Sequence, residues 1–328
     1  MKKDFCFFLC LFLIFVSCHR NEVKNVLTVD FSEFPTENVD SLHITVHPDS
    51  IYLIGSVKSI PGGYMMYIYD KENAYLITDK TFKYLMETVH KGEGPEEVRS
   101  GGTKYGQVLD TNGNVAIADP YKHSFYALDT KTGILDKLID FPQEFSRYSP
   151  SKSVKIKDGS FVSPRGDFQY GLVSFNPETD QVYQWPVGIE DIDTEHPISS
   201  HVSMRVIDYN QKNGIIAEIY GELPFLILHN ENGEIVKIIT LKGTPRESQE
   251  GYDFIGDLKL TDDYIIVLWG DTEIDNENTI LFMSYDGKPI KQIKIQPAQS
   301  FDFDEEFNRI LTTNTEWEDT NLIIYSLN

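Results

Sequence analysis

An internal repeat of about 50 residues is the feature that most constrains what this chain can fold into. Five times an apolar run ends in a short turn rich in Asp, Asn and Gly, and a second β-rich run follows. The copies are AYLITDKTFKYLMETV, SFYALDTKTGILDKLI, GLVSFNPETDQVYQW, FLILHNENGEIVKIITL and ILFMSYDGKPIKQIKI. Each reads as a hairpin, because alternating or β-branched runs bracket turn-forming residues. The aligned turn residues are Asp79, Asp129, Asn176, Asn230 and Asp286, separated by 50, 47, 54 and 56 positions. Upstream of the later hairpins lie two more strand candidates each, such as Asn114–Ala118 and Tyr264–Trp269. A unit therefore reads as four strands, A to D, and four strands at a steady period mark propeller blades. A pair of β-sandwiches also gives many short strands, but it calls for a central linker and no constant period. The expected fold class is all-β, a six-bladed β-propeller.

The last copy is incomplete. Asn321–Asn328 aligns with the C strands, and a blade ending there would expose an unpaired edge, which proteins avoid. Near the other end, Val26–Phe31 is a strand with no blade of its own. It is expected to complete the last blade and close the ring. Ser32–Asp49 then forms a connector with room for one further strand, Leu42–Val46. The one short segment with a helical reading is Asp302–Phe307.

The first residues read as an export signal. Lys2 and Lys3 precede the apolar run Phe5–Val16, which is too short for the roughly 20 residues a membrane span needs. Phe15-Val16-Ser17-Cys18 resembles the bacterial lipobox, with Phe15 where Leu is usual. Cys6 and Cys10 leave with the signal, so Cys18 alone remains and no internal disulfide can form. The predicted organisation is a signal peptide at 1–17, an acylated N-terminus with closing strand and connector at 18–50, and the propeller at 51–328. Lipidation at Cys18 implies a membrane-anchored lipoprotein of the cell envelope, at the outer membrane. The chain carries a net charge of −22, with 51 acidic against 29 basic residues. A nucleic-acid binder would show a basic patch instead, so no nucleic-acid partner is expected.

The segment His90-Lys91-Gly92-Glu93-Gly94-Pro95-Glu96-Glu97 follows the last strand of the first blade. It resembles the Gly-x-Gly-Pro-x-Glu signature of the TolB-like six-bladed β-propeller lipoproteins of bacteria, with Glu96 where that family often has a second Gly. The resemblance implies the same fold, a lipobox, an N-terminal closing strand and a truncated last blade. It implies little about function. Read from the residues alone, Gly92, Gly94, Pro95 and Glu96 set the backbone of a tight interblade connection.

Strand order sorts the loops between two faces. The A–B and C–D turns share one face and are short. The B–C loops and the D-to-A connections share the other and are longer, and binding residues concentrate in such loops. The ligand-binding candidates there are Arg99, Tyr121, His123, Arg165, Tyr170, Arg246 and Trp317. Arginine forks suit carboxylates or sulfates, and the aromatic residues suit a sugar or peptide. The acidic loop with Asp271, Glu273 and Asp275 is a calcium candidate. No G-x-S-x-G, HExxH, Walker A or paired CxxC motif occurs. The chemistry therefore points to a non-catalytic module that binds or scaffolds a protein, peptide or glycan and uses no cofactor. The alternative is a calcium-assisted hydrolase or lyase working in the central channel.

Overall fold

A computed structural model describes residues 26–46, 52–99, 106–146, 153–165, 171–185, 205–221, 223–243, 255–270, 277–317 and 320–327. Three short strands come first: β1 (Val26–Asp30), β2 (Thr36–Glu37) and β3 (Asp40–Ile44). Blade 1 is β4 (Ile54–Ile60), β5 (Gly63–Ile68), β6 (Asn73–Asp79) and β7 (Tyr84–His90). Blade 2 is β8 (Gln107–Val108), β9 (Asn114–Asp119), β10 (Ser124–Asp129) and β11 (Leu135–Asp140). Blade 3 is β12 (Val154–Lys155), β13 (Phe161–Pro164), β14 (Leu172–Asn176) and β15 (Gln181–Gln184). Blade 4 is β16 (Arg205–Asn210), β17 (Ile215–Tyr220), β18 (Phe225–Asn230) and β19 (Ile235–Lys242). Blade 5 is β20 (Ile255–Leu260), β21 (Ile265–Trp269), β22 (Asn278–Met283) and β23 (Pro289–Ile295). Blade 6 supplies β24 (Ser300–Asp304), β25 (Arg309–Thr313) and β26 (Leu322–Ser326), and β3 is its fourth strand. The molecule is a six-bladed β-propeller.

Burial explains the sequence of each blade. The middle strands have a neighbouring blade on both faces, so GYMMYI, IIVLW and NTILFM are buried throughout. Such strands read as continuous apolar runs rather than alternating ones. The outer strands β7, β11 and β15 stand at the rim and are largely exposed or half-buried. Apolar clusters fill the seams between blades. Phe125 and Phe161 stack at 3.8 Å between blades 2 and 3. Between blades 6 and 1, Tyr64 stacks on Phe82 at 4.7 Å, and the Arg309 guanidinium lies over both rings. The buried Asp304 carboxylate meets Lys80 there at 3.2 Å and Arg309 at 3.4 Å. Among the described residues the α-helix is a single turn, Gln143–Ser146, and no helix is long and apolar enough to cross a membrane.

An N-terminal strand does close the ring, but it is not Val26–Phe31. Asp40–Ile44 pairs antiparallel with β26, from Ile44 opposite Leu322 to Asp40 opposite Ser326. Val26–Asp30 instead pairs in parallel with β19, as a fifth strand on blade 4, and β2 pairs in parallel with β23 on blade 5. The expectation failed because it took the more apolar segment for the closing strand. A closing strand sits at the rim, where apolar residues gain little: Leu42 is 59% exposed. The apolar residues of the earlier segment fill the seam between blades 4 and 5, where Phe31 packs against Phe34 and Trp269. Asp302–Phe307 is not helical either. Its first half belongs to β24, whose FDFD alternates with period two, and a turn follows. The fifth C–D turn also shifts. Ser284 rather than Asp286 accepts the N–H four residues on, as Asn230 does in blade 4.

Candidate functional site

Leaving β7, the chain doubles back before blade 2. Gly92 N–H donates to the Val98 carbonyl at 2.9 Å, and Val98 N–H to the His90 carbonyl at 3.1 Å. The Glu97 carboxylate turns into this loop and accepts the Gly94 N–H at 2.6 Å. A Cβ on Gly92 or Gly94 would collide with that carboxylate, and neither glycine has a positive φ. The glycines are there to make room for Glu97, not to reach left-handed backbone. Pro95 and Glu96 are exposed. The organising acid is therefore the second of two adjacent glutamates, and nothing in the motif says which one points inward. Lys91 anchors the loop by donating to the carbonyls of Ile68 at 2.5 Å, Tyr69 at 3.1 Å and Lys71 at 2.8 Å. Burial draws the Lys91 ammonium below its ordinary pKa, and Asp70 opposes that.

Blade 2 meets this loop through Asp119, buried at the end of β9. Its carboxylate accepts the N–H groups of Arg99 at 2.9 Å, Tyr121 at 3.0 Å and Lys122 at 3.2 Å. One side chain thus positions both loops. The Lys122 ammonium then reaches back to the carbonyls of Gly94 and of Glu97, the latter at 2.7 Å. On this frame the Arg99 guanidinium lies 5.6 Å from the centre of the Tyr121 ring and 2.5 Å from Glu93. Together with Lys91 and Gly92 they border a cavity of about 380 Å³. Tyr121 is 61% exposed, so much of its side chain remains open beside Arg99. An incoming carboxylate or sulfate can take the place of Glu93 on the guanidinium fork while a flat group covers the tyrosine.

The other candidates do not join this pair. His123 has φ 51°, its ring meets Phe141 edge-on at 6.0 Å, and its buried Nδ1 has no partner among the described residues. Its ring is therefore turned inward. Arg165 is buried in blade 3, where its Nη1 donates to Gln184 at 3.2 Å and its backbone N–H to Gly171 at 3.1 Å. Trp317 packs on the apolar cluster of blades 5 and 6. Cys18, Tyr170, Arg246, Asp271, Glu273 and Asp275 lie outside the described residues.

The central channel is lined by the A strands of all six blades, and its free volume is about 50 Å³. That admits a few waters, well below the roughly 300 Å³ at which ligand pockets begin. Its carboxylates are engaged with neighbouring blades. Asp208 accepts the Leu260 N–H at 2.7 Å, and Asp257 accepts from the Ser300 hydroxyl at 2.9 Å and the Phe301 N–H at 3.1 Å. Asp302 accepts the Ser59 N–H at 2.6 Å and pairs with Lys259 at 2.9 Å. Burial alone would raise the Asp302 pKa, but Lys259 and Lys58 outweigh it and hold the carboxyl below its ordinary value. Burial likewise opposes charge on Lys259, and Asp302 and Asp208 overcome it and raise that pKa. Among the described residues, no three His, Cys, Asp or Glu side chains are grouped to hold a metal ion.

No family model matches the chain, and no curated protein matches it. Solved structures do. A Bacteroides fragilis protein described as exported superposes with a TM-score of 0.60 at 10% identity, covering 93% of this chain and 100% of the other. A member of the DUF4221 family from Bacteroides vulgatus gives 0.60 at 11% identity, covering 90% and 97%. Regucalcin from Agrobacterium tumefaciens, a calcium-binding protein, gives 0.55 at 10% identity, covering 89% and 95%. At about one identical residue in ten, these likenesses establish the propeller fold and nothing finer.

Proposed function

We propose that this chain is an exported lipoprotein of the cell envelope, of the TolB-like kind, whose propeller is a non-catalytic binding module. Residues 1–17 are its signal peptide, Cys18 carries the acyl anchor at the outer membrane, and the propeller follows the connector that ends near residue 50. Export is supported by the apolar N-terminal run and by the description of the B. fragilis protein of the same fold. The observation that carries the binding role is the Arg99–Tyr121 platform, set by Asp119 beside a cavity of about 380 Å³. Its ligand is an anionic group joined to a flat one, on a protein, peptide or glycan partner. Capture of partners from detergent-solubilised envelope tests this, comparing the wild type with Arg99→Ala and Tyr121→Ala. Loss of a partner in both variants is expected, and unchanged capture in both refutes the site. The mass of the mature N-terminus tests acylation separately.

The second reading, a calcium-assisted hydrolase or lyase, draws on the likeness to regucalcin. Against it, the channel carboxylates described above already serve as interblade acceptors.

A further inference from the structure

On the face of the short turns, the seam between blades 4 and 5 is left open. Phe31, Phe34 and Trp269 fill part of this seam. Here a cleft of about 400 Å³ remains. Its floor is Ile215, Leu228 and Val236, and Val236 is 36% exposed.

The rim is acidic. Asp262 and Asp263 come from the turn after β20, and Asp286 from the turn after β22. The cations nearby do not balance them. Lys212 pairs with Asp262 at 2.8 Å, and Lys237 stands 3.6 Å from Asp286 while donating to the Tyr285 carbonyl at 3.2 Å. Asp263 makes no ion pair among the described residues. Neighbouring Glu305 feels the surplus. Burial raises its pKa first, Lys259 opposes, and the negative charge of Asp262 and Asp263 adds to the rise.

We propose that this cleft is a docking site for a basic segment of a partner protein. A lysine or arginine side chain would lay its methylene stem on Ile215, Leu228 and Val236 and hold its cationic head among Asp262, Asp263 and Asp286. The cleft has the volume of a ligand pocket, and its apolar floor under an acidic rim is the complement of an aliphatic stem with a charged tip. The site lies on the face opposite the Arg99–Tyr121 platform and does not depend on it.

The test is fluorescence anisotropy with the full chain in detergent and a labelled peptide of alternating leucine and lysine. A leucine–glutamate peptide is the control and spermidine the competitor. Saturable binding of the lysine peptide is expected, weakened at least tenfold in the double variant Asp263→Lys/Asp286→Lys. Both positions are exposed, and an unchanged thermal midpoint confirms the fold. Binding should survive in Arg99→Ala and in Asp136→Lys/Glu144→Lys, which makes the same charge change on blade 2. The proposal is overturned by equal binding of both peptides, by affinity unchanged in the first variant or lost equally in the charge control, or by no binding at millimolar peptide. Displacement by equimolar spermidine would assign the cleft to small polyamines and overturn the partner segment.

Discussion

Blades 4 to 6 and blades 1 to 3 are built from the same four-strand unit, but only the first group is strapped. The segment from Val26 to Ile44 lays β1 on blade 4, β2 on blade 5 and β3 on blade 6. Among the described residues nothing pairs with the outer edges of blades 1 to 3, where Tyr84, Leu85, Leu138 and Tyr183 are partly exposed. On the strapped side Ile238, Ile239, Leu241 and Ile293 are buried, while Val26 and Leu42 of the strap itself are exposed. The difference shows that the leading segment has two separable tasks. β3 is required to finish the last sheet, whereas β1 and β2 add a fifth strand to sheets already complete. The strap should therefore grade stability around a ring whose repeats are alike.

That comparison can be broken most directly at Phe34, which packs in the seam between blades 4 and 5. Phe34→Ala should cost about 3–5 kcal/mol by urea unfolding, as for other buried phenylalanines. A loss under about 1 kcal/mol would mean the strap is not part of the core.

Asp302→Asn comes next, because it leaves Lys259 beside a neutral group, and breaking a buried pair costs about 3 kcal/mol or more. The pH dependence follows from the direction of its shift. The folded carboxyl titrates below the unfolded one, so its stabilising increment is complete above about pH 4 and fades as pH falls through the folded value. Acid unfolding curves of wild type and variant should therefore converge at low pH, and a constant gap would contradict the assignment.

A smaller effect is expected in hydrogen exchange. Amides of β19 and β23, bonded on both edges, should exchange at least about tenfold more slowly than those of β7, β11 and β15. Equal rates would erase the distinction between the two halves. Smallest of all, Tyr84→Ser on a bare edge should shift stability by no more than about 0.5 kcal/mol. A larger loss would show that this edge is already covered.

The blade pattern was legible because buried middle strands have to be apolar and because Asp or Asn recurs at the C–D turns. Asp79 accepts the Thr81 N–H at 2.8 Å, and Asn176 the Glu178 N–H at 2.9 Å. The strap was not legible, since any outer edge can accept VLTVD and only packing selects blade 4. The loop candidates fared unevenly for a related reason. Arg99 and Tyr121 are 22 positions apart on two loops, and their meeting depends on Asp119, whose role as shared acceptor leaves no spacing to read. The glycines of the motif loop were visible, but their steric reason was hidden in the orientation of Glu97. Arg165 is buried and Trp317 half-buried because the long-loop face also has to be packed, and residue type alone does not say which arginine or tryptophan packs inward.

The pairing of Asp40 with Ser326 has a consequence for how the molecule is made. A strand synthesised early has to wait, unpaired, until almost the whole polypeptide has emerged before its partner exists. Until then the arc of blades stays open at both ends, and a chain cut anywhere short of β26 would leave the ring unable to close.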